Sequence, residues 1–82
     1  GRTIYPTEVK KGEAKHDVIS QIDKYVLDFK MKLNLRLWDK VKGIVIANGF
    51  TQFCLKELLY QGVIPIKYGL NGQQLTFSIV RG

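Results

Sequence analysis

The spacing of apolar residues changes several times along the chain, and each change predicts a new element of secondary structure. Residues 4–10 form a short β-prone run, which Lys11-Gly12 ends. Pro6 in this run predicts the start of a strand or an edge strand, because proline has no N–H to donate to a sheet. From about His16 the apolar residues recur at three- and four-residue steps, and this spacing predicts an amphipathic helix. The residues at these steps are Ile19, Ile22, Val26, Phe29 and Leu33.

The end of this first helix is open to two interpretations. Apolar and polar residues alternate over residues 31–37, and a strand with one basic face would show the same pattern. We favour a helix that continues to about Leu35.

A second strand and a second helix follow. Residues 43–48 form a continuous β-branched run, which is typical of a strand buried on both faces of a sheet. Asn48-Gly49 ends the run, Thr51 is a suitable N-cap for the next helix, and Gly62 is a natural C-terminal stop.

The C-terminal region predicts a β-hairpin. Two β-prone runs, residues 64–70 and 73–80, are joined by Asn71-Gly72, a strong signal for a tight turn. The predicted order is therefore β-α-β-α-β-β, an α/β fold. Each strand–helix–strand step predicts parallel strands with a right-handed crossover, and the hairpin adds an antiparallel edge.

Composition restricts the class of protein. The 82 residues are 45% hydrophobic and 24% charged, which predicts one small folded domain over residues 1–82 and excludes a disordered tail. No apolar run is long enough to span a bilayer and no signal-peptide pattern is present, so we expect a cytoplasmic protein without a membrane partner.

Cys54 is the single cysteine, which excludes a disulfide framework and multi-cysteine zinc sites. We expect it to be a buried apolar residue of the second helix.

The charge is strongly positive and unevenly distributed. The net charge is +6, and ten of the thirteen basic residues lie in residues 1–42. Such a cluster favours a polyanion as partner, nucleic acid above all, because binding releases condensed counterions. The alternative is a solvated basic surface that only keeps the protein soluble.

Glu8 and Lys10 are the first candidates for chemistry. Residues two apart in a strand project from the same face, so their side chains should lie together. A carboxylate there can hold Mg²⁺, and a neighbouring lysine can polarise a water or stabilise charge that develops on a phosphate. The alternative is an ordinary solvated strand face with paired charges.

The motifs that follow occur in a recognisable order. Glu8-Val9-Lys10 precedes a helix with Gln21-x-x-x-Tyr25, then the hydrophobic run of residues 42–47, then a helix that ends in residues 58–63. This set resembles the C-terminal part of the catalytic core in the PD-(D/E)XK nuclease superfamily, in particular NucS-type and RecB-type DNA nucleases. The resemblance covers roughly residues 4–68.

The resemblance implies a restriction-endonuclease-like core that hydrolyses phosphodiester bonds in DNA with Mg²⁺ or Mn²⁺. Glu8 would be the metal ligand and Lys10 the catalytic lysine. Gln21 and Tyr25, one helical turn apart, would arrange the site or hold DNA beside it. The basic residues expected to contact DNA phosphates on such a fold are Lys11, Lys15, Lys32, Arg36 and Lys42.

The chain departs from the family in one respect. The family places another acidic residue on the strand before Glu-x-Lys, whereas the seven residues before Glu8 include none. The expectation from the sequence is that the downstream aspartates at positions 17, 23, 28 and 39 lie in the wrong elements. A preceding segment that completes the sheet, or a second chain of a homo-oligomer, would then supply the missing carboxylate.

Two alternatives carry no catalysis. The first is a DNA-binding or protein-interaction module on the same fold. The second is a self-associating fragment, because strands absent from the sheet would leave an edge open for pairing.

Overall fold

A computed structural model describes residues 1–36 and 39–82 and shows a mixed α/β arrangement. The elements in chain order are β1 (Thr3–Ile4), β2 (Thr7–Val9), β3 (Glu13–Ala14), α1 (Asp17–Lys32), β4 (Lys40–Val41), β5 (Ile44–Ala47), β6 (Gly49–Phe50), α2 (Gln52–Tyr60), β7 (Ile64–Asn71) and β8 (Gln74–Ile79). The predicted first and second strands each consist of three short segments, β1–β3 and β4–β6.

The central sheet has four strands in the order β2-β5-β7-β8. The first three are parallel, and β8 is antiparallel to β7. Two short parallel pairs, β1 with β4 and β3 with β6, continue the β2–β5 pairing at its two ends. The predicted element order, the parallel strands and the C-terminal hairpin are thus confirmed.

A bulge interrupts the first edge strand. Val9 lies opposite Ile46 and Glu13 lies opposite Gly49, so four steps along one strand match three along the other. Gly12 has φ 85, a left-handed conformation that glycine adopts without steric cost. Its N–H donates to the Tyr68 hydroxyl at 3.2 Å. The strand predicted to end at Lys11-Gly12 therefore resumes beyond the bulge.

Both helices pack against one face of the sheet and against each other. The core lies between them and consists of apolar side chains from every layer. Its buried members are Ala14, Val18, Ile22, Val45, Ala47, Cys54, Leu58 and Val63. The prediction that Cys54 is buried in the second helix is confirmed.

The opposite face of the sheet is largely exposed. Val45 and Ala47 are buried under the helices, whereas Ile44 and Ile46 on the other side are only half-buried. The predicted burial of residues 43–48 on both faces is therefore wrong, because the helices cover one face only. We call the other the open face. Its apolar side chains, by strand alternation and register, are Val9, Ile44, Ile46, Ile64, Ile66, Tyr68, Leu70, Leu75, Phe77 and Ile79.

The helix ends depend on local backbone signals. α1 ends at Lys32, and Asn34 adopts φ 44, so the predicted end near Leu35 is three residues too late. Leu35 lies in neither a helix nor a strand, and position 37 of the alternating run lies outside the described residues. α2 begins as predicted, since the Thr51 hydroxyl accepts from the Cys54 N–H at 3.2 Å.

Gly62 ends α2, also as predicted. It has φ 78, and its N–H donates to the Leu59 carbonyl at 3.1 Å. The Val63 N–H donates to the Leu58 carbonyl at 2.9 Å. This pair of bonds is a Schellman motif, which satisfies carbonyls that the helix end would leave free.

Asp39 ties the N-terminal strand to the segment after α1. Its carboxylate accepts the backbone N–H of Arg2 at 2.8 Å and of Arg36 at 3.0 Å, and the Arg2 guanidinium lies 3.4 Å away. The hydrogen bond from the Arg2 backbone, followed by that from Arg36, holds the pKa of Asp39 below its ordinary value. Asp39 therefore has a structural role.

Candidate active site

The edge strand presents Glu8 and Lys10 on the helix side of the sheet. Glu8 lies in register with Val45, whose side chain is buried beneath the helices. Lys10 follows two residues later and shares that face. The Lys10 Nζ is 4.0 Å from Glu8 Oε1, and both side chains are largely covered. The prediction that these two side chains lie together is confirmed.

Tyr25 of α1 reaches the same carboxylate. Hydrogen bonding with Glu8, followed by the negative charge of Glu8, raises the pKa of Tyr25. Ionisation would remove the donated proton and place two negative charges side by side, which explains the direction of the shift. The Tyr25 side chain therefore lies beside Glu8 at the sheet edge.

Asp17, in the first turn of α1, completes the group. Its Oδ2 lies 3.9 Å from the Lys10 Nζ, so the ammonium group of Lys10 has a carboxylate on each side. Asp17 lies on a helix downstream of Glu8, as expected, but its carboxylate still approaches Lys10. Only residues 15 and 16 separate β3 from α1, and this short connection returns the first helical turn to the strand. No pattern in the sequence indicates this approach, because it depends on where the strand resumes after the bulge.

Gln21 lies between these contacts on the helix surface. Residues four apart share one face of a helix, so Asp17, Gln21 and Tyr25 form one stripe beside β2. Gln21 is exposed on this stripe. Its amide is thus available to a ligand bound along the edge of the sheet.

The next question is whether the carboxylates of Glu8 and Asp17 could bind Mg²⁺. Among the described residues, no group of three or more His, Cys, Asp or Glu side chains converges. Mg²⁺ is often held by one or two carboxylates together with substrate phosphates and waters. Glu8 and Asp17 are two carboxylates of this kind, and each lies about 4 Å from the Lys10 ammonium group.

The five basic residues expected to contact DNA do not form one patch. Lys11 in the bulge and Lys15 before α1 lie at the end of the sheet where the candidate site begins. Lys32 is the last residue of α1 and Arg36 follows it. Both therefore lie at the other end of a helix of sixteen residues, which is about 24 Å long. Lys42, between β4 and β5, lies at that far end too.

Lys42 shares a groove with two lysines outside that set. The groove has a volume of about 450 Å³, and Lys30, Lys40 and the acidic residue Asp39 also line it. Within residues 1–36 and 39–82, these three lysines form no ion pair. Their charges are therefore available to an anionic ligand.

The contact between Tyr25 and Glu8 can be tested without any assay of function. Glu8→Gln removes the negative charge, so the pKa of Tyr25 should fall toward the ordinary tyrosine value of about 10. The measurement is an NMR titration of the Tyr25 ring carbon that bears the hydroxyl. Glu13→Gln, an exposed glutamate of the same edge strand, is the control and should leave the titration unchanged. An identical Tyr25 titration in Glu8→Gln would show that the two side chains do not interact.

No family model matches the chain, and no curated protein or solved structure matches it. Among the described residues, no helix has both the length and the apolar character needed to cross a membrane.

Proposed function

We propose that this chain is a divalent-metal-dependent DNA endonuclease domain with a restriction-endonuclease-like core, which hydrolyses phosphodiester bonds at the group formed by Glu8, Lys10 and Asp17. One observation carries the proposal. The Lys10 ammonium lies 4.0 Å from Glu8 and 3.9 Å from Asp17, on an edge strand where DNA can approach. The ordered motifs of the sequence support the same chemistry.

Each residue of the group has a distinct role in the proposal. Glu8 and Asp17 supply the carboxylate oxygens that would hold Mg²⁺ or Mn²⁺. When bound, such an ion makes a coordinated water more acidic and polarises a phosphoryl oxygen. Lys10 stabilises the negative charge that develops on the phosphate. Tyr25 keeps Glu8 in place through its hydroxyl, and Gln21 contacts the DNA beside the site.

Nicking of supercoiled plasmid in the presence of Mn²⁺ tests this function. Glu8→Ala and Lys10→Ala should each reduce the rate by about 100-fold or more, the usual cost of removing one group that stabilises transition-state charge. Asp17→Ala should also reduce nicking, because it removes the second carboxylate. The matched controls, Glu13→Ala and Lys24→Ala, change exposed residues of the same types and should retain the full rate.

Two outcomes would contradict the proposal. The first is a wild-type protein that does not nick DNA, and the second is nicking that persists in Glu8→Ala. The lysine-lined groove favours a second candidate function, DNA binding without catalysis. Salt-dependent binding without nicking would support that candidate, since Lys30, Lys40 and Lys42 can contact phosphates independently of Glu8.

A further inference from the structure

The open face exposes several large apolar side chains close together. Val9, Leu70, Leu75, Phe77 and Ile79 each leave more than half of their surface exposed, with values from 56% to 75%. Apolar side chains scattered singly on a surface need no explanation, but these come from three strands of one sheet and share one face. Lys10 and Lys11 line one side of a hollow on this face, together with Val9, Ile46, Tyr68, Leu75 and Phe77.

The size of this surface can be compared with known interfaces. With about 150–200 Å² for each large apolar side chain, the five most exposed residues leave roughly 500 Å² uncovered. This is near the upper end of what monomeric proteins expose in one patch. If two copies met through it, the contact would bury about 1,000 Å² before the half-buried neighbours are added, which is the lower limit for a specific interface.

The two edges of the sheet differ in how they are protected. The edge formed by β1–β3 has three features that prevent pairing with another strand. They are Pro6, the bulge at Gly12 and the charged pair Lys10-Lys11. β8, over Gln74–Ile79, has no proline and no charged residue, and all six of its residues are exposed. The β8 edge therefore lacks the features that protect the opposite edge from association with another molecule.

We propose that a second copy of this chain covers the open face, in a two-fold dimer whose sheets stack face to face. A two-fold contact brings one patch against itself, and an apolar patch is complementary to itself. A second copy fits this face better than nucleic acid does, because its exposed side chains are mostly apolar, Lys10 and Lys11 lie only at its β2 edge, and Lys30, Lys40 and Lys42 line a groove elsewhere. Stacking also leaves Glu8 accessible, since its side chain lies on the other side of the sheet from Val9.

Sedimentation velocity or light scattering over a range of concentrations tests the proposal. The wild-type protein should show twice the chain mass of 9.4 kDa. Phe77→Lys should weaken the dimer by about 100-fold or more, because it places a charge in an apolar contact. Phe77 is 59% exposed in one copy, so the substitution should preserve the fold, which circular dichroism verifies. Tyr60→Lys changes a side chain that is 89% exposed on α2 and should leave the dimer intact.

A second variant separates stacking from pairing between β8 edges. Leu70 is 75% exposed on the open face but belongs to β7, whose backbone is paired with β5 and β8. Leu70→Lys should therefore dissociate a stacked dimer and leave an edge-paired dimer unchanged. A dimer that survives Leu70→Lys, or a wild-type protein that is monomeric at all concentrations, would overturn the proposal.

Discussion

Ile22→Ala should lower the free energy of unfolding by about 2–5 kcal/mol, the range measured when a large buried aliphatic side chain is truncated. Ile22 is fully buried on the face of α1 that packs against the sheet. Its removal leaves a cavity among Val18, Val45 and Leu58, which belong to the same cluster. Urea denaturation of both proteins measures the difference.

Two further variants make this result interpretable. Ile22→Val removes less volume and should cost about 0.5–1.5 kcal/mol, so it remains measurable if the alanine variant does not fold. Leu27→Ala truncates an apolar residue of α1 that is 55% exposed, and its effect should stay within about 0.5 kcal/mol. If Ile22→Ala cost no more than Leu27→Ala, the packing of α1 on the sheet would be contradicted.

Gly43→Ala should destabilise the fold by about 1–3 kcal/mol, although it adds a single methyl group. A Cβ at this position would lie 2.8 Å from Ile22 Cγ1 and 3.2 Å from Val26 Cγ2. Since Ile22 is buried, it has little room to move aside. Gly69→Ala is the matched control within β7, where the new Cβ would meet only the Thr76 hydroxyl at 3.5 Å, an ordinary contact.

The two substitutions should be strongly coupled. In an Ile22→Ala background, the methyl group of Gly43→Ala enters space that the isoleucine has vacated. The double variant should therefore be more stable than the sum of the single effects predicts, by about 1 kcal/mol or more. Strictly additive costs would show that Gly43 and Ile22 are not in contact.

The parts of the fold that were predicted correctly are those with local signals. Thr51 and Gly62 define α2 because a cap needs only nearby backbone partners, and the hairpin needs only a turn between two β-prone runs. The turn itself lies one residue later than predicted, with Gly72 at φ 65 as its first central residue. This is the glycine position of a type II′ turn.

The parts that could not be predicted depend on distant contacts. The exposure of the open face could not be predicted from residues 43–48. A β-branched run has the same sequence pattern whether helices cover one face of the sheet or both. At the candidate site, alternation along one strand was enough to place Glu8 beside Lys10. Asp17 was missed because its approach to Lys10 depends on the bulge and on the short turn into α1, and neither leaves a periodic signal.

The pairings of the sheet span very different lengths of chain. β7 and β8 are joined by a two-residue turn, whereas Glu8 of β2 pairs with Val45 of β5, far along the chain. A hairpin forms in about 1–10 μs, but a distant parallel pair must first overcome the entropy of closing a long loop. We therefore expect the hairpin to fold early and β2 to join late. Since Glu8 and Lys10 belong to this edge strand, the candidate site would be assembled only in the last stage of folding.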